Sequence, residues 1–184
     1  MTLKRMDNVL FVVDDLEAAK AFFIALSLTL DIAADWSKID PTREAVGLLV
    51  LALFGDDDLR DALAMVSEEL LENAIKYSLP ASSVALAIEH RGDGVDIAVT
   101  NAVDGGAVHL ADLRARIAWV RSFATPSEAY AAALARVYAQ AGDGRSGLGI
   151  ARIAYEGRCG LECDESVPGR VTVTARCPRA AFGD

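Results

Sequence analysis

The chain has 184 residues, 53% of them hydrophobic and 24% charged, with a net charge of −9 and a pI near 4.7. That length suits one domain, or one domain with a small extension, and the composition supports a buried core rather than disorder. An acidic chain repels a phosphate backbone at long range, which makes nucleic acid an unsuitable partner.

The N-terminal stretch, MTLKRMDNVLFVVDD, meets acid after a short apolar run and lacks a small-residue cleavage site, so it does not read as a secretory signal. Residues 14–34 read as a helix that begins at Asp14 and Asp15. Asp40-Pro41-Thr42 marks a turn, and residues 43–54 form a second expected helix closed by Gly55. The apolar runs in this part, AFFIALSLTL (21–30) and AVGLLVLALF (45–54), fall well short of the ~20 residues a bilayer crossing needs. They read as buried helices, and no membrane is expected.

Asp56, Asp57 and Asp58 then open a helix expected over 58–77, where negative charge suits a helix N-terminus. Leu59, Leu63, Val66, Leu70, Ala74 and Tyr77 repeat at helical spacing as one buried stripe. Ser78-Leu79-Pro80 stops it. Two alternating segments, 83–90 and 95–101, predict strands joined as a hairpin by Arg91-Gly92-Asp93-Gly94. Residues 102–143 read as mainly helical. Leu110, Leu113, Ile117 and Val120 are in phase, and Thr125-Pro126-Ser127-Glu128 has the form of a capping box. A glycine-rich loop, GDGRSGLG (142–149), leads into another helix, and the segments 160–166 and 170–176 close the chain as strands. This order gives an α+β fold, a two-layer α/β sandwich with an antiparallel or mixed sheet and helices on one face.

The three cysteines, Cys159, Cys163 and Cys177, show no CxxC spacing, and the only histidines are His90 and His109. Zinc is not expected. Reduced thiols in a cytoplasmic protein are the simplest reading.

Two features carry chemistry. On the helix 58–77, Glu69, Asn73 and Lys76 share one flank at spacings of four and three, and Asn73 lies at the edge of the buried stripe. A half-buried asparagine needs hydrogen-bond partners. An ordinary polar shoulder, with Glu72 and Lys76 as an i,i+4 ion pair, accounts for the same residues. The second feature is Gly144-Arg145-Ser146-Gly147-Leu148-Gly149 before a helix. Its successive backbone N–H groups and the helix N-terminus attract phosphate, although a plain flexible turn fits as well.

Together the two features resemble a known pair of motifs. EELLENAIKYSLP (68–80) resembles the N box of the gyrase, Hsp90, histidine kinase and MutL (GHKL) ATPases, and GRSGLGIARIAYEG (144–157) resembles their second glycine box. Their separation by two strands and a helical segment matches too, so the resemblance covers roughly 58–176. It implies the Bergerat ATP-binding fold with a mixed sheet, and ATP with Mg²⁺ as cofactors. By this resemblance Asn73 would coordinate Mg²⁺, Lys76 would approach the phosphates, and Glu69 would be the general base. Gly144, Ser146, Gly147, Leu148 and Gly149 would wrap the triphosphate with N–H groups, under a lid spanning 104–143. The sequence departs from the family at one place. Where an Asp-x-Gly motif normally binds adenine, this chain has Asn101 and Val103, with Gly105 and Gly106 just beyond. Asn101 would take the aspartate's role at the adenine amino group.

Neither histidine sits on a phosphoacceptor hairpin, and a glutamate at position 69 resembles the serine kinases that act as anti-sigma factors. The resemblance therefore implies a bacterial regulatory serine/threonine protein kinase, acting on a small protein partner such as an anti-sigma antagonist. The alternative is a non-catalytic binding module that keeps the fold without the nucleotide. The expected domain division is an N-terminal helical extension, 1–57, that packs on the domain or forms a homodimer, followed by an ATPase domain, 58–184.

Overall fold

The computed structural model describes residues 27–104, 108–139 and 147–182. Its strands are β1 (Ser27–Ala33), β2 (Ser83–Arg91), β3 (Gly94–Ala102), β4 (Gly160–Asp164) and β5 (Arg170–Pro178). Its α-helices, among the described residues, are α1 (Ile39–Phe54), α2 (Asp57–Tyr77), α3 (Val108–Arg121), α4 (Pro126–Ala139) and α5 (Leu148–Tyr155). The sheet order is β1-β2-β3-β5-β4, with every neighbouring pair antiparallel.

The two-layer sandwich expected from the sequence is present. Its sheet is antiparallel throughout, where the family resemblance implies a mixed one. The reason is topological. The connection through α3, α4 and α5 returns β4 in the same direction as β3, but β5 then folds back between them. No two parallel strands become neighbours.

The sharpest difference from the sequence reading lies in residues 14–34, expected as a helix. Residues 14–26 lie outside the described residues, and 27–33 form β1, paired along its length with β2. The segment SLTLDIA alternates: Leu28, Leu30 and Ile32 are the less exposed positions, and Ser27, Thr29, Asp31 and Ala33 face out. That period of two suits a strand. Residues 27–54 therefore contribute one strand to the sheet and one helix to the layer covering it.

Asp40-Pro41-Thr42, expected as a turn, instead lies in the first turn of α1, where a proline is tolerated because its missing N–H has no helical partner to lose. The helix ends expected at Gly55 and Asp56 are in place. Gly55 closes α1 in the left-handed region at φ 65°, its N–H bonded to the Leu51 carbonyl. Such a backbone favours glycine. Asp56 caps α2 by accepting from the Leu59 N–H at 2.9 Å, which satisfies one of the helix's unpaired donors. Thr125 caps α4 by accepting from the Glu128 N–H.

The core lies between the sheet and α1, α2 and α5. On β3, Val95, Ile97, Val99 and Asn101 all point to this layer and are buried. Leu59, Leu63, Val66, Leu70 and Ala74 of α2 meet them from above. Burying each large aliphatic side chain stabilises the fold by roughly 1.5–3 kcal/mol. On the opposite face of the sheet the outward positions are small or polar. Thr100 of β3 and Thr172 of β5 join hydroxyls there at 2.8 Å.

Cys159 and Cys177, expected as reduced thiols, are joined in a disulfide with Cα atoms 4.3 Å apart. The register explains it. Gly160 faces Arg176 across β4 and β5, so the next pair outward is Cys159 and Cys177. Antiparallel strands bring directly opposed residues this close, while the sequence places them 18 residues apart. Among the described residues, no helix is long and apolar enough to cross a membrane.

Candidate functional site

A cleft lies at the end of the sandwich where α2, β3 and β5 meet α3 and the start of α5. Leu70, Asn73, Ala74 and Tyr77 form its α2 wall, and Val99, Asn101, Val171 and Val173 its sheet floor. Val103, Leu110, Leu113 and Ile150 complete the apolar surface. The cleft is narrow, with a cavity volume of about 30 Å³. Small-molecule sites are mostly apolar with a few polar groups. Here the polar groups are Asn101 on the floor, Asn73 and Tyr77 on the α2 wall, and His109.

Asn101 is 4% exposed, and its Nδ2 is buried without a hydrogen-bond partner. Leaving a buried donor unpaired costs about 1–3 kcal/mol. Native interiors rarely tolerate that without a reason. Asn73 is half-buried. Its Nδ2 donates to the Glu69 carbonyl at 2.7 Å, one turn back in its own helix. The amide oxygen is thus the end of Asn73 that a cation or ligand would meet.

The glycine box and the N box touch. A Cβ built on Gly149 would lie 2.3 Å from Oε2 of Glu69 and 3.6 Å from Nδ2 of Asn73. A side chain at this position would have to displace the Glu69 carboxylate. Gly147, just before α5, has φ 56°, again a conformation that favours glycine. Leu148 and Gly149 form the first turn of α5. Gly144 and Ser146, expected in the same loop, lie outside the described residues.

Glu69 is mostly buried, and its Oε1 accepts from Nη1 of Arg152 on α5 at 3.0 Å. Arg152 also donates through Nε to Glu156 at 2.8 Å, and Glu156 accepts from the Tyr130 hydroxyl of α4 at 3.1 Å. One chain of polar contacts thus links α2, α5 and α4. Burial pushes the Glu69 carboxyl up from its ordinary value, against the pull of Arg152. The hydrogen bonds to Glu156 and then Glu69 hold Arg152 firmly protonated.

Lys76, expected near the phosphates, stands exposed one turn beyond Asn73, its Nζ 5.6 Å from the centre of the Tyr77 ring. It does not line the cleft. The structure adds three residues that sequence reasoning passed over. Arg152 holds Glu69. Arg116 of α3 places its guanidinium over the start of α5, 3.1 Å from where a Cβ on Gly147 would sit. His109, exposed at the start of α3, stacks on Tyr77 with ring centres 4.9 Å apart and lines the cleft. Arg116 sits three positions after Leu113, and a cation at that phase of an amphipathic helix was the only available signal. Nothing in the sequence pointed to Arg152.

Of the segment 104–143 expected as a lid, residues 108–139 form a helical hairpin with Arg136 of α4 packed over the Trp119 ring of α3 at 4.0 Å. It is tied to the sheet edge. Arg121 donates to the Leu161 carbonyl, and Arg114 pairs with Glu165.

No protein-family profile matches the sequence, and no curated protein is significantly similar to it. Among solved structures the chain is similar to one chain of the crystal structure of the SiaB–SiaC complex from Pseudomonas aeruginosa, with a TM-score of 0.57. Identity is 19%, and the alignment covers 91% of this chain and 99% of that one. At that identity the likeness concerns the fold.

Proposed function

We propose that this chain is a regulatory ATP-binding protein of the GHKL type, a serine/threonine protein kinase acting on a small protein partner. The observation that carries the reading is the contact between the two boxes. Gly149 meets the pair Asn73 and Glu69, 76 and 80 residues before it in sequence, beside an apolar cleft that Asn73 lines and that has a buried amide on its floor. An apolar cleft suits a base, and a helix N-terminus beside it suits phosphate.

The residues present fit Mg-ATP. Asn101 would face the base, and the N–H groups at Gly147, Leu148 and Gly149, completed by Gly144 and Ser146, would face the phosphates. Arg116 would add positive charge at the same place. Asn73 would hold Mg²⁺ through its amide oxygen. Among the described residues no three His, Cys, Asp or Glu side chains form a metal-binding group. Phosphate oxygens and water would therefore supply most of the cation's ligands, as is usual for Mg²⁺. Lys76 would have to swing inward to approach the phosphates.

When bound, Mg-ATP supplies the γ-phosphoryl group. Glu69 accepts the proton of the attacking hydroxyl, a role that its raised carboxyl suits. To do so it must leave Arg152, which occupies its Oε1. Phosphoryl transfer needs positioning and charge neutralisation above all. A protein partner is favoured by the structural neighbour, which was crystallised as a complex of two proteins.

Titrating the protein with Mg-ATP by calorimetry, beside Asn73→Ala, tests the site. Binding by the wild type and loss in the variant support it. No heat from either, with Mg²⁺ in excess, sinks the nucleotide reading. Labelled ATP then reports transfer to a candidate partner. A second reading, a binding module without catalysis, is favoured by the Arg152–Glu69 pair and by Asn101 in place of the family's aspartate. It predicts tight partner binding that is indifferent to ATP.

A further inference from the structure

Among the described residues, Asn101 is one of two that bury a side-chain polar atom without a partner. It sits on the central strand β3, paired with Val84 on one side and Val171 on the other, and its side chain faces the helix layer. The neighbours on the cleft floor, Val99, Val171 and Val173, offer neither donor nor acceptor from their side chains. Its Nδ2 finds no partner, and among the described residues no side-chain hydrogen bond fixes which way the amide is turned. Among the described residues the fold makes no use of the amide nitrogen, which leaves it open to a ligand.

The chemistry of the amide decides what that ligand looks like. A carboxylate at this position only accepts, and it selects a base edge that donates, such as the amino group of adenine. A carboxamide both donates and accepts. It pairs with an edge that carries an acceptor beside a donor. Adenine presents its amino group beside a ring nitrogen. Guanine presents O6 beside a ring N–H. The two edges have opposite polarity, and an unpinned amide matches either by turning through half a circle. We propose that Asn101 reads the base through this freely turning amide, so that the cleft takes guanine as well as adenine nucleotides. This rests on reading the cleft as a nucleotide site.

The discrimination to expect follows from what each variant leaves unpaired. Sites built around a hydrogen bond reject a ligand that leaves a buried group unsatisfied. With Asn101, Mg-ATP and Mg-GTP should bind within about tenfold of each other. Asn101→Asp puts a carboxylate against guanine O6, and GTP affinity should fall on the order of 100-fold while ATP is retained. Asn101→Leu should lose both.

The experiment is a competition of Mg-ATP and Mg-GTP for a fluorescent triphosphate on the full chain, in the wild type and Asn101→Asp. Comparable affinities that Asn101→Asp splits in favour of ATP are the expected result. Wild type that prefers ATP by more than 100-fold, or Asn101→Asp that leaves the ratio unchanged, overturns the proposal and leaves nucleotide binding standing. No binding of either triphosphate overturns the nucleotide reading and the proposal with it. Thermal melting without ligand gives a second readout. Asn101→Leu should raise Tm by a few degrees, because an unpaired buried amide is removed. A fall in Tm would mean that the amide serves the fold, and would also overturn the proposal.

Discussion

Arg152 on α5 donates to Glu69 on α2 at 3.0 Å, across 83 residues of sequence, and so couples the two helices that carry the sequence motifs. The pair is unequal in exposure, with the Glu69 side chain 15% exposed and that of Arg152 36%. Removing the arginine leaves a mostly buried carboxylate without its partner. Arg152→Ala should therefore destabilise the fold by about 1–3 kcal/mol, read as a shift of the urea midpoint at unchanged slope. In the kinase reading the same variant keeps phosphoryl transfer, while Glu69→Gln loses it by about 10²-fold or more.

The sign of the pH effect at Glu69 follows from its burial. The folded carboxyl titrates above its ordinary value of 4.5. The stability this confers is fully present below the unfolded value and is lost as pH rises through the folded one. Glu69→Gln cannot titrate. Its Tm should therefore gain on that of the wild type as pH is raised from 4 towards neutrality. A constant difference over that range would show that burial does not control this carboxyl.

Gly157 nests where α5 ends. A Cβ there would lie 2.5 Å from the Ile153 carbonyl oxygen and 2.6 Å from Cγ2 of Val66, a buried core residue. Neither neighbour can yield easily. Gly157→Ala should cost about 1–3 kcal/mol. At Gly160 nothing lies within 4 Å of the new atom, so Gly160→Ala in the same melting experiment serves as the matched control and should leave Tm nearly unchanged.

The disulfide between Cys159 and Cys177 closes a loop of 18 residues of separation. Loop-closure entropy for such a length corresponds to about 3 kcal/mol. A reductant should lower Tm in the wild type and have no effect on the double variant Cys159→Ala/Cys177→Ala. A wild-type Tm that ignores reductant would mean that the bridge contributes nothing to stability.

Much of the architecture was legible because it rests on local signals. The stripe on α2, the Gly55 and Asp56 boundary and the Gly92-Asp93 turn each depend on residues within a few positions of one another. The segment around β1 failed for a physical reason. Its apolar run extends back through residues 21–26, and a continuous run masks the alternation that begins at Ser27. At the site, helical spacing grouped Glu69 with Asn73, and the family resemblance placed Gly149 near them. Arg152, Arg116 and the disulfide depend on contacts across 83, 31 and 18 residues respectively. Periodicity says nothing about such pairs.

Helix α5 has eight residues, a rod of about 12 Å. Its first turn bears on Glu69 through Gly149, and the turn that follows its last residue is wedged against Val66 through Gly157. A strut so short has little room to bend, so its two ends cannot be adjusted separately. How accurately the carboxylate of Glu69 is aimed is a manufacturing tolerance set at the far end, by how closely one glycine seats in the core.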